Sequence, residues 1–261
     1  MVNLKTVTYE TALPCNLLHG FVSHFWCSYW RHGVQNYFCY YSTANTNAEL
    51  AFAFSPKNAS RSNNVFASFL GHTENHARIE TGGFSEMFGV SIHAHAIPFF
   101  FGVPALQLSD QLLDMKELLH REAAVLIDQL ARGTGFADRV KIMSQYLLSR
   151  MNTASNQDLL MLNAIKRIRE MRGNVDVRSL ANEFSLSQKQ FERRFKEFSS
   201  FNPKLYSRII RFESSLSASP RYNSYTSLAL EHGYYDQAHF INEFRKFSGF
   251  SPRKYSSLTS Y

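Results

Sequence analysis

The sequence SLALEHGYYDQAHFINEFRKFSGFSPRKY, residues 227–255, decides the fold of the C-terminal part of this chain, because a related segment precedes it. That segment, residues 179–206, reads SLANEFSLSQKQFERRFKEFSSFNPKLY, and its first three residues align with the later copy at an offset of 48. After one inserted residue the offset becomes 49, and both copies end in Phe-x-Pro-x-x-Tyr. Helical periodicity does not generate such a shared ending, so the pattern indicates a structural duplication.

The earlier copy predicts a helix-turn-helix unit. Asp176 and Ser187 are suitable N-caps for a short helix and for the longer helix that follows it. On the longer helix Phe191, Phe195 and Phe198 stand at positions i, i+4 and i+7. This spacing predicts one buried stripe and an opposite face that is polar and basic.

The later copy predicts the same arrangement. Gly233 can take the positive φ that the turn needs, and Asp236 can cap the second helix. Phe240, Phe244 and Phe247 form its predicted buried stripe. Because a helix of this kind can enter a major groove, two units on one domain would engage successive groove segments about one turn, ~34 Å, apart.

The basic residues are concentrated in the same part of the chain. Residues 159–261 hold 17 Lys and Arg against 9 Asp and Glu, a net charge of +8, whereas residues 1–158 hold 11 and 12. A solvated helix face or a basic helix on a membrane surface would give a similar count. The duplication of two polar, basic helix faces favours nucleic acid as the partner.

The later copy resembles the AraC family of bacterial transcription regulators. The resemblance is carried by Ala229-x-x-x-Gly233-Tyr234-x-Asp236-x-Ala238-His239-Phe240 and by Phe244-Arg245-Lys246-x-x-Gly249-x-Ser251-Pro252-x-x-Tyr255, within residues 159–261. It implies double-stranded promoter DNA as a partner, contact with RNA polymerase, and a small-molecule effector of unknown identity. The first half is similar to an uncharacterised N-terminal domain of some AraC-type regulators, and family members often use a cupin-like β barrel there as a sensor.

The expected DNA-binding residues lie on the second helix of each unit or directly beside its ends. The family's base-reading positions correspond to Lys189, Gln190, Glu192 and Arg193 in the first unit and to Gln237, Ala238, His239 and Asn242 in the second. The full expected set is Ser187, Gln188, Lys189, Gln190, Glu192, Arg193, Lys196, Gln237, Ala238, His239, Asn242, Arg245, Lys246 and Arg253.

Three positions depart from the family pattern. Ser185 stands in the first turn where glycine is usual, and Ser215 stands in the joining helix where alanine is usual. Asn242 occupies a place where Arg or Lys is frequent. We therefore expect the second unit to contribute less base reading and more phosphate anchoring through Arg245, Lys246 and Arg253.

The first hundred residues predict a β-rich domain. Aromatic runs such as FVSHFWCSYW and ELAFAF alternate with turn-forming stretches such as SPKNASRSNN. From Ser109 the period becomes helical through Leu112, Leu119 and Leu126, and a second helix is predicted from Ala137 to Arg150.

The overall prediction is an α+β chain in three parts. Residues 1–108 would form a cupin-like barrel or sandwich for sensing or dimerisation, and residues 109–158 a helical connector and linker. Residues 159–261 would form an all-α DNA-binding domain of about seven helices with two helix-turn-helix units.

Two further sets of residues are candidates for binding small ligands. Trp26, Trp30, Tyr37 and Tyr40 could line an effector pocket, although aromatic strands are more often core. His93 and His95 could share a metal ion if they alternate on one strand face, but no ligating side chain follows between residues 96 and 103. We therefore expect no metal and no cofactor.

The remaining composition limits the function classes. The sequence shows no nucleophile with its base and no phosphate loop, so we expect no enzyme. Three cysteines without a CxxC pair suit a reducing compartment, and no apolar run reaches the ~18 to 20 residues of a membrane span. We expect a cytoplasmic regulator, with a homodimer as one further expectation. The alternative is a DNA-binding domain fused to a catalytic or purely protein-interacting N-terminal domain.

Overall fold

The computed structural model describes residues 7–30, 37–55, 65–82, 84–151, 158–219 and 224–259. Eight strands lie in the N-terminal half of this part. They are β1 (Val7–Ala12), β2 (Val22–Trp30), β3 (Tyr37–Ser42), β4 (Asn47–Phe54), β5 (Val65–Leu70), β6 (Ala77–Gly82), β7 (Glu86–His93) and β8 (Leu112–Asp114).

Six of these strands form one antiparallel sheet, in the order β1-β2-β7-β4-β5-β8, and β3 pairs with β6 in a separate ribbon. Side chains alternate between the two faces of the sheet. One face carries Phe25, Phe52 and Phe88, which are fully buried in an aromatic core. The opposite face has different residues, which are described below.

Four helices cover the aromatic core. They are α1 (Ile97–Phe101), α2 (Met115–Leu119), α3 (Arg121–Arg132) and α4 (Phe136–Met151). The amphipathic helix α3 buries Leu126 and Leu130 in that core, and α4 adds Met143 and Leu147. The sheet and these helices therefore share one hydrophobic core.

The helical period predicted from Ser109 was wrong at its start. Leu112 lies in β8, which pairs with β5, and its side chain is exposed. The helical segment begins at Met115, capped by Asp114, whose carboxylate accepts from the backbone N–H of Lys116 at 2.8 Å. Strand pairing with a distant partner thus overrides the local period. The second predicted helix is present as α4.

Seven helices follow in the C-terminal part. They are α5 (Leu159–Glu170), α6 (Val177–Glu183), α7 (Gln188–Ser199), α8 (Pro203–Ala218), α9 (Tyr225–Glu231), α10 (Gln237–Ser248) and α11 (Pro252–Thr259). Their core contains Phe191 and Phe195 from the first predicted stripe and all three phenylalanines of the second. Phe198 is only partly buried within that core. The predicted pairing of a β-rich N-terminal part with an all-α C-terminal part is confirmed.

Gly173 fixes the turn between α5 and α6. It has φ +75°, and a Cβ atom added there would lie 2.0 Å from the Ser207 carbonyl oxygen of α8. Only glycine satisfies both the backbone conformation and this close approach.

The substitution Gly173→Ala should therefore lower the free energy of unfolding by about 3 kcal/mol, because it adds left-handed strain to an overlap with helix backbone. Gly135→Ala is the matched control, since its added Cβ meets no atom within 4 Å. Urea unfolding of both variants measures the difference, and equal midpoints would contradict the account.

Candidate nucleic-acid interface

The helices α6 and α7 form the first helix-turn-helix unit, and both predicted N-caps are present. Asp176 accepts from the Ser179 N–H at 2.7 Å, and Ser187 forms a capping box with Gln190. In that box the Gln190 side-chain oxygen accepts from the Ser187 N–H at 3.0 Å and from its hydroxyl at 2.8 Å. Gln190 therefore organises the start of α7 and has only its NH₂ group left for a base.

The outer face of α7 presents basic side chains to solvent. Lys189, Arg193 and Lys196 are exposed and lie along one side of the helix, opposite the buried phenylalanines. Gln188 donates to Glu192 at 2.9 Å on the same helix. Arg194, by contrast, turns away to Asp158 and donates to both of its oxygens, at 2.6 and 2.9 Å. This face has the donors that major-groove reading requires.

The helices α9 and α10 form the second unit. Gly233 has φ +72° in its turn, as predicted, and Asp236 caps α10 by accepting from the His239 N–H at 2.7 Å. The backbone N–H of Tyr235 donates to Nδ1 of His239 at 3.3 Å. Neutral His239 bonded in this way carries its proton on Nε2 and presents a donor.

Tyr235 is a residue that the sequence analysis missed. Its side chain is 87% exposed beside the start of α10, where it neighbours the expected contacts Gln237 and His239. An exposed aromatic ring directly before a capped basic helix is the signal that could have identified it.

All fourteen sequence-predicted contact residues lie on the surface. Glu192 is half-buried and the other thirteen are exposed. Their accessibility is compatible with DNA contact, but their roles remain predictions.

Arg211 of the joining helix α8 connects the two units. Its Nη2 donates to the carbonyl oxygen of Gly173 at 3.0 Å, and its Nη1 donates to the carbonyl oxygen of Gly233 at 3.3 Å. The guanidinium also lies 5.6 Å from the centre of the Tyr234 ring. Both bonded carbonyls belong to glycines in left-handed turns, so one planar cation links the turn before α6 to the turn of the second unit.

A second tie links the same helix to α10. Arg208 donates to both oxygens of Glu243, at 2.7 and 2.6 Å, and these two side chains are substantially buried. Bidentate pairing fixes orientation as well as distance. The recognition helices α7 and α10 therefore belong to one braced body.

The N-terminal domain packs against this body along what we call the interdomain seam. The sheet side contributes Ala44, Thr46, Asn47, His72, His76, His93 and His95, and the helical side contributes Arg169, Phe198, Phe201, Glu213, Phe247 and Gly249. The seam reaches both helix-turn-helix units, because Phe198 ends α7 and Phe247 ends α10.

Polar contacts in the seam centre on Thr46. Its N–H and hydroxyl both donate to Glu213, at 3.0 and 3.2 Å, and its hydroxyl accepts from Arg169 at 2.9 Å. Arg169 also reaches Asn47 and His93, with its Nη2 at 3.3 Å from the Asn47 oxygen and 3.2 Å from Nδ1 of His93. Beside this cluster the Ala44 N–H donates to the Phe247 carbonyl oxygen at 2.8 Å.

Three seam histidines are held neutral. Burial lowers the pKa of His72 to about 4, while Asp110 acts in the opposite direction. Burial also lowers the pKa of His95 to about 4, and burial with the charge of Arg169 holds the pKa of His93 well below its usual range. His95 stacks on Phe198 with ring centres 5.4 Å apart, and His72 contacts Phe201 at 4.9 Å.

The metal candidates are part of this seam. His93 ends β7, but His95 lies in a 3₁₀ turn, so strand alternation does not place them; their rings stack at 5.5 Å instead. Asn47 and Arg169 contact Nδ1 of His93, and the Gly20 carbonyl accepts from Nε2 of His95 at 2.8 Å. The described residues contain no group of three or more His, Cys, Asp or Glu side chains arranged for a metal ion.

Of the effector candidates, only Trp26 has a described side chain. Its indole N–H donates to Glu49 at 2.8 Å on the face of the sheet opposite the aromatic core. The side chains of Trp30, Tyr37 and Tyr40 lie outside the described residues.

Comparison with protein families agrees with this architecture. Residues 180–257 match a family model described as a helix-turn-helix domain, and residues 10–114 match a domain of unknown function (DUF6597). None of the helices in the described residues is both long enough and apolar enough to cross a membrane. The fold and the matched domain define a DNA-binding protein of the helix-turn-helix class.

The same match gives the type of the domain. The helix-turn-helix domain at residues 180–257 is of the AraC type, and it supports a DNA-binding transcription regulator. No curated protein sequence matches the chain.

Solved structures of similar architecture include two regulators. ToxT from Vibrio cholerae is 13% identical, with 98% of each chain covered and a TM-score of 0.44. The C-terminal domain of the response regulator AraT from Geobacillus stearothermophilus is 20% identical, covers 41% of this chain and 91% of its own, and has a TM-score of 0.38. ToxT has also been solved with an unsaturated fatty acid, at 11% identity, 98% and 96% coverage and a TM-score of 0.41.

Base reading and phosphate anchoring can be separated by mutation. Lys189→Ala or Arg193→Ala should cost ~1 to 3 kcal/mol at the specific site and little on random DNA, whereas Arg253→Ala should weaken both about equally. Titrations of labelled duplexes at fixed salt measure these losses.

The control variant is Lys166→Ala, which removes an exposed lysine from α5, outside both recognition helices. It should leave specific binding nearly unchanged. Uniform losses on all sequences for Lys189, Arg193 and Arg253 would remove the base-reading assignment.

Proposed function

We propose that the chain regulates transcription by reading two successive major-groove segments with α7 and α10. The observation that carries this proposal is the link made by Arg211, which bonds backbone carbonyls at Gly173 and Gly233. A braced pair of recognition helices can engage only segments that have one spacing and one phase. A single domain could therefore recognise an asymmetric site without a second copy.

We propose further that the N-terminal domain modulates DNA binding through the interdomain seam. Contacts at Phe198 and Phe247 reach the ends of both recognition helices. A ligand that binds the closed and open seam with different affinity would shift their populations and so change how α7 and α10 are presented. Contact with RNA polymerase and homodimer formation remain expectations from the family resemblance.

Selection of genomic fragments by the purified full chain, followed by footprinting of the best fragment, tests the first proposal. Two protected major-groove segments about one helical turn apart are expected. A single protected segment would refute the two-unit reading, and enrichment of every fragment alike would refute sequence specificity. Binding should also weaken steeply with salt, because phosphate contacts release counterions.

The seam should open as pH falls. A buried histidine whose pKa is depressed keeps the closed seam favoured above pH 6.5, and this advantage is lost as the pH falls from 6.5 toward about 4. If opening restores an ordinary pKa, His72 alone should raise the opening constant about tenfold between pH 7.5 and 5.5. Hydrogen exchange at the Ala44 amide, corrected for its intrinsic pH dependence, reports the opening.

Two variants isolate this effect. His72→Phe keeps a ring against Phe201 but cannot take up a proton, so its opening should depend less on pH. His120→Asn removes an exposed histidine outside the seam, at a positive φ that asparagine adopts more readily than most residues, and should behave as the unchanged chain. Identical pH profiles for all three proteins would exclude His72 as a contributor.

A further inference from the structure

The face of the six-stranded sheet opposite the aromatic core is built from small residues at its centre. Across the strands, Trp26 pairs with Gly89, Gly89 with Ala51, and Ala51 with Ser68. Ala51, Ser68 and the neighbouring Ser91 are all buried. The other face carries phenylalanines at the equivalent depth, so the two faces differ in side-chain size.

Trp26 is held in one orientation against these small residues. A Cβ atom at Gly89 would lie 2.4 Å from the indole ring, so the ring lies directly against the glycine. Tyr9 stacks on the indole with ring centres 6.3 Å apart and an interplanar angle of 23°. Both ring faces therefore have neighbours, and Trp26 acts by donating its N–H to Glu49 rather than by offering a free stacking platform.

Glu49 has no cationic partner among the described residues. The carboxylate is half-buried and accepts from the Trp26 N–H at 2.8 Å, and Ser91 is its register partner on β7. No lysine, arginine or histidine in the described part of the chain forms an ion pair with it. Burial raises the pKa of Glu49, which reflects the cost of holding this charge away from water.

The position of Glu49 connects it to the seam. Asn47 and His93 are register partners, and Glu49 and Ser91 are the next pair along the same strands on the same face. Two residues along a strand span roughly 7 Å. A molecule bound against Glu49 would therefore lie one row of side chains away from the pair that contacts Arg169.

We propose that this face of the sheet binds a small organic cation, an ammonium or guanidinium compound, through the carboxylate of Glu49. The positive group would pair with the carboxylate, and its apolar body would lie beside the exposed ring of Tyr9, which stacks on Trp26. The role of this cation as the effector rests on the proposed function. The binding of the cation at Glu49 does not rest on it, because this binding can be measured without DNA.

The test is calorimetric titration of the full chain, in the absence of DNA, with choline, n-butylamine and agmatine. The control ligand is 3,3-dimethylbutanol, a neutral molecule with nearly the shape of choline. At least one cation should bind, while the alcohol should not. Affinity should rise from pH 5 to pH 7, because Glu49 must lose its proton to pair with the cation. His24 lies in the same row across β7, and burial lowers its pKa, which limits its positive charge in this range.

Two substitutions assign the binding to Glu49. Glu49→Gln keeps an oxygen acceptor for Trp26 but removes the charge, and it should weaken binding about tenfold or more and flatten the pH profile. Glu10→Gln removes an exposed carboxylate from the adjacent part of β1 and should change neither. If Glu49→Gln does not fold, Glu49→Asp keeps the charge but shortens its reach, and it should also weaken binding.

Three results would overturn the proposal. They are no binding by any of the three cations up to about 10 mM, equal binding of the neutral alcohol, and unchanged binding by the Glu49 variant. If a cation binds as expected but does not change the affinity for DNA, the binding site is confirmed and the role of the cation as an effector is refuted.

Discussion

The two hydrogen bonds from Arg211 to the carbonyls of Gly173 and Gly233 are the constraint on which the DNA-binding arrangement depends. Both aromatic stripes pack on the joining helix in one shared core, the first through Phe195 on Tyr206 and the second through Phe244 and Phe247 on Phe212. Arg211 adds direction to this packing, because its planar guanidinium bonds two turns in a fixed geometry. The salt bridge between Arg208 and Glu243 braces the second recognition helix against the same joining helix.

The seam extends this constraint to the N-terminal domain. Thr46 bonds to Glu213 of the joining helix and to Arg169, which also contacts the buried Tyr206. A structural change at this end of the sheet would therefore alter contacts with α5 and with α8, the helix that joins the two helix-turn-helix units. The seam is rich in buried polar groups, and such groups lose most when their partners move. That property suits an interface at which a ligand shifts the populations of a closed and an open state while each domain keeps its fold.

Features set by neighbours in the sequence were predictable. The N-caps Asp176, Ser187 and Asp236 are all present, since capping involves residues only three apart. Features set by distant partners were not predictable. The strand at Leu112–Asp114 exists because it pairs with β5, and its local period indicated a helix. The linking role of Arg211 depends on two turns that come together only in the folded domain.

The central claim is that the two recognition helices are held in one fixed relation, and base-pair insertion tests it most directly. Five base pairs would be inserted between the two protected segments of the selected operator, and ten in a second duplex. The rigid link predicts that both insertions reduce affinity to that of a single segment, because five pairs change the phase and ten move the second segment about 34 Å away. Full affinity with either insertion would show that the units move independently and would contradict the account.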